Sequence, residues 1–161
     1  MIKIKKFRLS DIDNEYLSWL NDNDLMKFSQ NSKKFFDKTK AKIFFKKMKK
    51  DKNFFFKILL KEKKIGTLIG YTTEKKRSCN LGILVANQGK GFGNKAYKIA
   101  IDYIFRCGYK SVVGGSLVSN YAMIKIFKNS GMKFSKVKNV FYKNFKKKRR
   151  VVYYKIQNNK I

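Results

Sequence analysis

The feature that most constrains this chain is a glycine-rich run between an apolar strand pattern and an amphipathic helix pattern. The run reads Gln88-Gly89-Lys90-Gly91-Phe92-Gly93. Glycines at alternate positions let the backbone approach a ligand closely. A helix that begins there points unpaired N–H groups at the same place, which is a setting that binds phosphate. The run therefore predicts a strand–loop–helix unit around a phosphate or pyrophosphate.

The size and composition of the chain predict one folded domain. Of its 161 residues, 43% are hydrophobic and 16% aromatic, which is enough to bury a core over residues 1–161. No apolar segment approaches the roughly 18 residues that cross a bilayer. The N-terminus alternates like a strand and lacks the apolar stretch of a signal peptide. We therefore expect a single cytoplasmic domain without a transmembrane segment.

The net charge of +30 comes almost wholly from lysine, because the chain has only five arginines. Specific nucleic-acid recognition favours the forked guanidinium of arginine. The composition thus predicts a lysine-coated surface that attracts anionic small molecules, with no specific nucleic-acid partner. A basic nucleic-acid- or membrane-binding module is the alternative of another class, and the patch from Lys143 to Arg150 is where it would bind. Five acids fall between Asp11 and Asp24, and none follows Asp102.

The chain contains no histidine, which removes the commonest general base and the commonest metal ligand. A metal site or a Ser-His-Asp catalytic site is therefore not expected. The two cysteines, Cys79 and Cys107, are interpreted as small buried hydrophobic residues.

Hydrophobic periodicity predicts the element order β-α-α-β-β-β-α-β-α-β-β. The strand between residues 81 and 86, the helix after it and the strand at 111–118 form a parallel crossover, and the flanking hairpins are antiparallel. The fold class is therefore α/β with a mixed central sheet, in the α+β sense. Predicted strands are 2–9, 54–61, 65–73, 77–86, 111–118, 133–143 and 149–157; predicted helices are 11–20 with Ser10 as N-cap, 37–50 from Asp37, 91–107, and a short one from Asn120 to Gly131.

Two familiar phosphate motifs do not fit the glycine run. A dinucleotide-binding fingerprint needs an acid at the end of the next strand, but that strand ends Val112-Val113-Gly114-Gly115. A Walker loop needs Ser or Thr after Gly-Lys, where this chain has Gly91. The pattern that does fit is Gln/Arg-x-x-Gly-x-Gly/Ala after a buried strand, through Gln88, Gly91 and Gly93.

That pattern, followed by the segment from Asn120 to Gly131 and by Phe134, resembles the GNAT superfamily of acyl-CoA-dependent N-acetyltransferases. The element order also matches, so the resemblance spans nearly the whole chain. It implies a mixed, mostly antiparallel central sheet with helices on both faces and a splayed parallel strand pair around the CoA site. It also implies acetyl-CoA as co-substrate and no metal. The implied cofactor-binding residues are Leu84, Val85, Gln88, Gly89, Lys90, Gly91, Phe92, Gly93, Asn94, Asn120, Lys125 and Phe127.

The catalytic positions depart from the family pattern. Members often carry a glutamate base near the start of the buried strand and a tyrosine acid in the second CoA segment; Asn80 and Phe127 stand there in this chain. Neither side chain titrates, so we expect catalysis by positioning, or a member that binds CoA without turnover. Substitute groups to consider are Tyr71, Glu74, Asp22 and Tyr121.

The stretch from Tyr16 to Asp22 is similar to the start of the branch that includes ribosomal-protein N-terminal and surface amino-sugar acetyltransferases. The resemblance implies substrate binding by Trp19, Asn21 and Asp22, although Trp19 fits a core position equally well. Without a strong base, an amine of low pKa is the expected acceptor. An amino sugar, nucleotide-linked given the basic surface, is favoured, and a protein N-terminus is the alternative. The chain is either a monomer or a homodimer.

Overall fold

The computed structural model describes residues 1–160, which form a seven-stranded sheet in the order β1-β2-β3-β4-β5-β7-β6. Neighbouring strands are antiparallel except β4 and β5, which are parallel. This confirms the predicted element order and the mixed α/β class. The strands are β1 (Ile2–Lys6), β2 (Phe54–Leu60), β3 (Lys63–Thr72), β4 (Ser78–Val85), β5 (Ser111–Leu117), β6 (Lys133–Tyr142) and β7 (Lys147–Gln157); the helices are α1 (Asn14–Leu20), α2 (Lys38–Lys50), α3 (Phe92–Arg106) and α4 (Tyr121–Asn129).

Helices cover both faces of the sheet, as predicted. On one face, the apolar sides of α3 and α4 pack on the central strands through residues such as Ala96, Ile104 and Phe127. On the other face, α1 and α2 bury Trp19 and Met48 in a separate cluster. Among residues 1–160, no helix is both long and apolar enough to cross a bilayer.

The parallel pair β4–β5 separates partway along its length. Its ladder runs from Ser78 beside Ser111 to Asn80 beside Val113 and then stops. Beyond that point β4 pairs with β3, and β5 pairs with β7. The predicted splay is therefore present, and its vertex lies at Asn80 and Val113.

Two side chains from the helices hold the strands apart at this vertex. The Tyr97 hydroxyl, fully buried, donates to the Leu81 carbonyl oxygen at 2.8 Å. That carbonyl lies just past the end of the ladder, where an unpaired buried acceptor would be destabilising. On the opposite strand, a Cβ on Gly114 would lie 2.3 Å from Cε1 of Phe127. Glycine at 114 is thus what lets Phe127 occupy the space beside the gap.

Several predicted boundaries were wrong. Strand β1 ends at Lys6 rather than at 9, and β3 begins at Lys63 rather than at 65. Helix α1 begins at Asn14 rather than at 11, because Asp13 and not Ser10 is its N-cap, accepting from Tyr16 N at 2.8 Å. Ser10 lies in a short 3-10 turn, Leu9–Asp11. Strand β7 begins at Lys147 rather than at 149, because another 3-10 turn, Lys143–Phe145, shortens the connection from β6.

Candidate active site

A cleft of about 1120 Å³ opens where β4 and β5 separate. One end, here called the amide end, is formed by residues 87–89, 91–94 and 119–123. The other, the aromatic end, is formed by the loop from Asp24 to Asn31 and by five aromatic side chains, Tyr16, Phe28, Phe36, Phe44 and Tyr71. The splayed strands connect the two ends, so a long ligand can reach both.

The glycine run shapes the amide end through backbone conformation. Gly89 and Gly91 have φ angles of 81° and 74°, in the left-handed region that favours glycine. A Cβ at either position would meet no atom within 4 Å, so the conformation, and not a lack of space, calls for glycine. Gly91 is the N-cap of α3, and the first N–H groups of that helix therefore have no partner within it.

Helix α4 brings a second N-terminus to the same end. Asn120 caps it, its Oδ1 accepting from Met123 N at 3.2 Å, and Asn120 itself lines the cleft. The two helices lie close together, since a Cβ on Gly93 would be 3.0 Å from Cδ1 of Ile126. Two converging helix N-termini concentrate positive partial charge, which suits a diphosphate. Lys125 also lines the cleft, whereas Lys90 does not.

The exposed edge of β4 offers backbone groups to the slot between the strands. The Ala86 N–H donates to Ile65 of β3 at 2.8 Å, and the direction of these groups alternates along a strand. Leu84 therefore faces β3, and Ile83 and Val85 face the slot. The sequence prediction named Leu84 and Val85 but missed Ile83; alternation would have identified it once the free edge was known.

Asn80 and Tyr71 lie together at the vertex of the splay. They are directly opposite in the β3–β4 register, and both line the cleft. Burial raises the pKa of Tyr71, so its hydroxyl stays protonated near neutral pH and acts as a donor. Burial likewise raises the pKa of Tyr16 at the aromatic end. Neither tyrosine is therefore suited to remove a proton.

The remaining catalytic candidates lie elsewhere. Phe127 does not line the cleft; it is fully buried and stacked on Tyr154, with 5.4 Å between ring centroids. Glu74 lies in the turn that follows β3. Tyr121 lies at the amide end and is 79% exposed. Among the described residues, Asp24 is the only carboxylate in the cleft lining, and the sequence prediction did not single it out.

Trp19, Asn21 and Asp22 do not line the cleft either. Trp19 is 7% exposed and packs in the cluster beneath α1 and α2. The Asn21 side chain forms two hydrogen bonds with the Phe36 backbone, donating to its oxygen and accepting from its nitrogen, each at 2.8 Å. The Asp22 carboxylate accepts from the N–H groups of Asp24 at 2.9 Å and Leu25 at 3.1 Å. Asn21 and Asp22 thus shape the loop that forms the aromatic end.

The turn between β6 and β7 holds the same loop from the other side. Asn144 donates through Nδ2 to the carbonyl oxygens of Gln30 and Ser32, the latter at 2.6 Å. The guanidinium of Arg149 lies 4.8 Å from the ring centroid of Phe145, which stiffens the turn. Part of the basic patch from Lys143 to Arg150 is therefore engaged in building the cleft. Tyr142, which lines the cleft, was also missed from the sequence.

Comparison with known proteins gives a family match. Residues 2–133 match the family described as acetyltransferase (GNAT) domain. No curated protein is significantly similar to the sequence.

Several solved structures share the fold across almost the entire chain. Spermidine N-acetyltransferase from Vibrio cholerae, in complex with CoA and spermine, is 17% identical with a TM-score of 0.85, over 99% of this chain and 96% of that one. Ribosomal-protein-alanine N-acetyltransferase from Brucella melitensis is 14% identical with a TM-score of 0.81, over 96% and 99%. An aminoglycoside acetyltransferase in complex with coenzyme A and kanamycin is 14% identical with a TM-score of 0.80, over 98% and 95%. At these identities the similarity shows a common fold.

Proposed function

The chain belongs to the GNAT acetyltransferase family, and from that premise we propose that it transfers the acetyl group of acetyl-CoA to the primary amine of an amino sugar. The favoured acceptor is a nucleotide-linked amino sugar used in surface-glycan synthesis. The observation that carries the proposal is the cleft itself, which has an amide end with two helix N-termini, a slot lined by free strand backbone and an aromatic end.

Each part of acetyl-CoA has a matching part of the cleft. The N-termini of α3 and α4 suit its diphosphate, with Asn120 as an added donor. Its extended amide-bearing arm fits the slot, where Ile83 and Val85 offer backbone groups in the manner of an added strand. The acetyl thioester then lies near the vertex, beside the aromatic end.

Acetyl transfer by direct attack of an amine needs the two reactants close together and a donor for the developing oxyanion. The slot holds the thioester at the point where the acceptor pocket begins, which supplies proximity. An N–H group of the free β4 edge, from Ile83 or Val85, is placed to donate to the oxyanion. The neutral hydroxyl of Tyr71 is the available proton donor for the leaving thiolate.

The cleft favours an acceptor that loses its proton readily. A lysine side-chain amine has a pKa of about 10.4, whereas an α-amine is near 8 and amines on sugars are lowered by neighbouring oxygens. Asn80 stands at the usual base position and does not titrate. Burial raises the pKa of three tyrosines that line the cleft, Tyr16, Tyr71 and Tyr142, so little in the protein assists deprotonation. Asp24 and Lys27 both line the aromatic end, so the side chains there carry one charge of each sign.

Release of free thiol from acetyl-CoA tests the proposal. The purified chain is given a panel of amines: a nucleotide-linked amino sugar, the free amino sugar, a peptide with a free N-terminus, spermidine, and Nα-acetyl-lysine, in which only the side-chain amine is free. We expect the fastest release with the nucleotide-linked amino sugar. Faster thiol release with the peptide would indicate that a protein N-terminus, and not an amino sugar, is the acceptor. Faster release with Nα-acetyl-lysine or spermidine would refute the argument from amine pKa.

Two further outcomes separate the other classes of protein. Calorimetric binding of CoA without thiol release from any amine would identify a member that binds without turnover. Absence of CoA binding, together with nucleic-acid binding that weakens steeply as salt rises, would identify a basic binding module instead.

A further inference from the structure

The sheet surface next to the aromatic end carries three lysines that no helix covers. The residues are Lys136 and Lys138 of β6 and Lys155 of β7, all exposed, and we call them the hairpin lysine cluster. Lys136 lies opposite Tyr153 and Lys138 opposite Val151, so alternation places all of these residues on one face. The Lys136 Nζ lies 5.6 Å from the Tyr153 ring centroid, which agrees with that placement.

This face continues directly from the vertex of the cleft. Asn80 of β4 lies beside Val113 of β5, and Val113 lies beside Lys155 of β7. Two strand spacings separate Asn80 from Lys155, or about 10 Å. Tyr153 forms a second link: a Cβ on Gly115, which lines the cleft, would lie 2.8 Å from Cε1 of its ring.

Within residues 1–160, no acidic side chain is paired with the hairpin lysine cluster. The chain has no Asp or Glu after Asp102, and the ion pairs found within residues 1–160 all lie at or before Lys64. Contact with Lys138, and more weakly the charge of Lys155, lowers the pKa of Lys136. Like charges held this close repel one another, and a bound anion would relieve the repulsion.

We propose that the hairpin lysine cluster is the subsite for the diphosphate of a nucleotide-linked acceptor. This inference rests on the proposed function and assigns the part of the acceptor that lies outside the cleft. The amine lies at the vertex near Asn80, the sugar crosses the face of β5, and the phosphate oxygens meet the ammonium groups of Lys136, Lys138 and Lys155. Lys155 lies two strand spacings from Asn80, and Lys136 and Lys138 lie one spacing farther, on β6. One sugar ring and a diphosphate, met by long and flexible lysine side chains, span that distance.

The test compares two triple variants with equal loss of charge. The first is Lys136→Gln, Lys138→Gln and Lys155→Gln. The control is Lys46→Gln, Lys49→Gln and Lys50→Gln, which removes three exposed lysines from one side of α2. We expect the first variant to raise KM for the nucleotide-linked amino sugar by about tenfold while kcat changes little. KM for acetyl-CoA and for the free amino sugar should stay the same, and the control should resemble the unaltered chain.

Three results would overturn the subsite. The first is an unchanged KM for the nucleotide-linked amino sugar in the first variant, and the second is an equal rise in KM for the free amino sugar. The third is an equal rise in the control, which would mean that only the overall charge of the protein matters. The sugar 1-phosphate distinguishes the phosphate source, since a full effect with it would mean that the nucleoside plays no part. The increase in KM with ionic strength should also be shallower in the first variant than in the control.

Failure of the proposed function would be visible separately. If the unaltered chain acetylates no amino sugar, that function fails, and the subsite is judged by binding alone. Uridine diphosphate is titrated by calorimetry into protein saturated with CoA, so that the amide end is occupied. Binding that the first variant loses and the control keeps would support the subsite, and absent or equal binding would overturn it.

Discussion

The two ends of the cleft are built by different means. The amide end consists of backbone: left-handed glycines, the first turns of α3 and α4, and the free edge of β4. The aromatic end consists of side chains on a loop that is itself held by two side chains: Asn21, the C-cap of α1, and Asn144 of the β6–β7 turn. A site made of backbone needs few residue identities, whereas a site made of side chains changes with each substitution.

Specificity for the two substrates therefore has two different origins. A diphosphate is recognised by N–H groups that every residue except proline carries, so glycines and caps are enough to specify its site. The acceptor is recognised by whichever side chains the loop presents. We therefore expect that a substitution at one end leaves unchanged the KM of the substrate that binds at the other end. The variants below test that separation.

The largest effect is expected at the vertex that joins the two ends. The methyl group introduced by Gly114→Ala would overlap the Phe127 ring. Its Cβ would also lie only 2.8 Å from the hydroxyl oxygen of Tyr97. Such overpacking lowers the free energy of unfolding by about 1–3 kcal/mol. Denaturant unfolding measures it, and the double variant with Phe127→Leu should recover part of the loss. Strictly additive effects on the free energy of unfolding would contradict the overlap between a side chain at position 114 and the Phe127 ring.

A smaller effect, confined to the amide end, is expected for Gly91→Ala. Alanine in the left-handed conformation costs about 1–2 kcal/mol, so KM for acetyl-CoA should rise about tenfold with KM for the amine unchanged. The matched control is Gly108→Ala, at the other end of α3 with φ of 90°, which carries similar strain away from the cleft. An equal rise in the amine KM, or an equal effect in the control, would break the separation.

At the aromatic end, Asn144→Ala removes the hydrogen bonds to Gln30 and Ser32 and frees the loop. A net contribution of about 1 kcal/mol per hydrogen bond predicts a several-fold rise in KM for the acceptor, with KM for acetyl-CoA unchanged. Asn21→Ala, which removes the two bonds to Phe36, should give the same pattern. Steady-state kinetics with each substrate varied in turn measures both, and a rise confined to acetyl-CoA would refute the assignment.

The smallest expected change concerns pH and Tyr71. Burial raises the pKa of Tyr71, so the phenol remains neutral through the working range and removes no proton. The rise of kcat/KM with pH should then follow the pKa of the acceptor amine and move when an amine of different pKa is used. Tyr71→Phe should leave the position of that rise unchanged. A rise fixed at one pH for all amines would indicate a base in the protein, and Asp24→Asn would show whether Asp24 is that base.

The sequence predicted most where local chemistry decides the structure. Asp37 and Asn120 cap the helices as expected, because a short polar side chain at a helix start satisfies N–H groups a few residues away. The helix α1 start was placed three residues early because three polar residues near it, Ser10, Asp11 and Asp13, can each act as a cap. The Asp11 carboxylate accepts hydrogen bonds from Arg8 N at 2.7 Å and from Lys57 Nζ at 2.8 Å, and Asp13 is the residue that caps α1.

The order of strands and helices, the glycine turn and the two helix starts at the amide end were predictable from the sequence, since each depends on residues within a few positions of one another. The point where β4 and β5 separate depends on contacts between distant segments, because Tyr97 must reach Leu81 and Gly114 must leave room for Phe127. Tertiary contacts also decided the aromatic end, where Asn144 holds a loop more than a hundred residues earlier in the chain. Packing between distant segments leaves no periodic mark in the sequence, so the geometry of the acceptor pocket became visible only once the chain was folded.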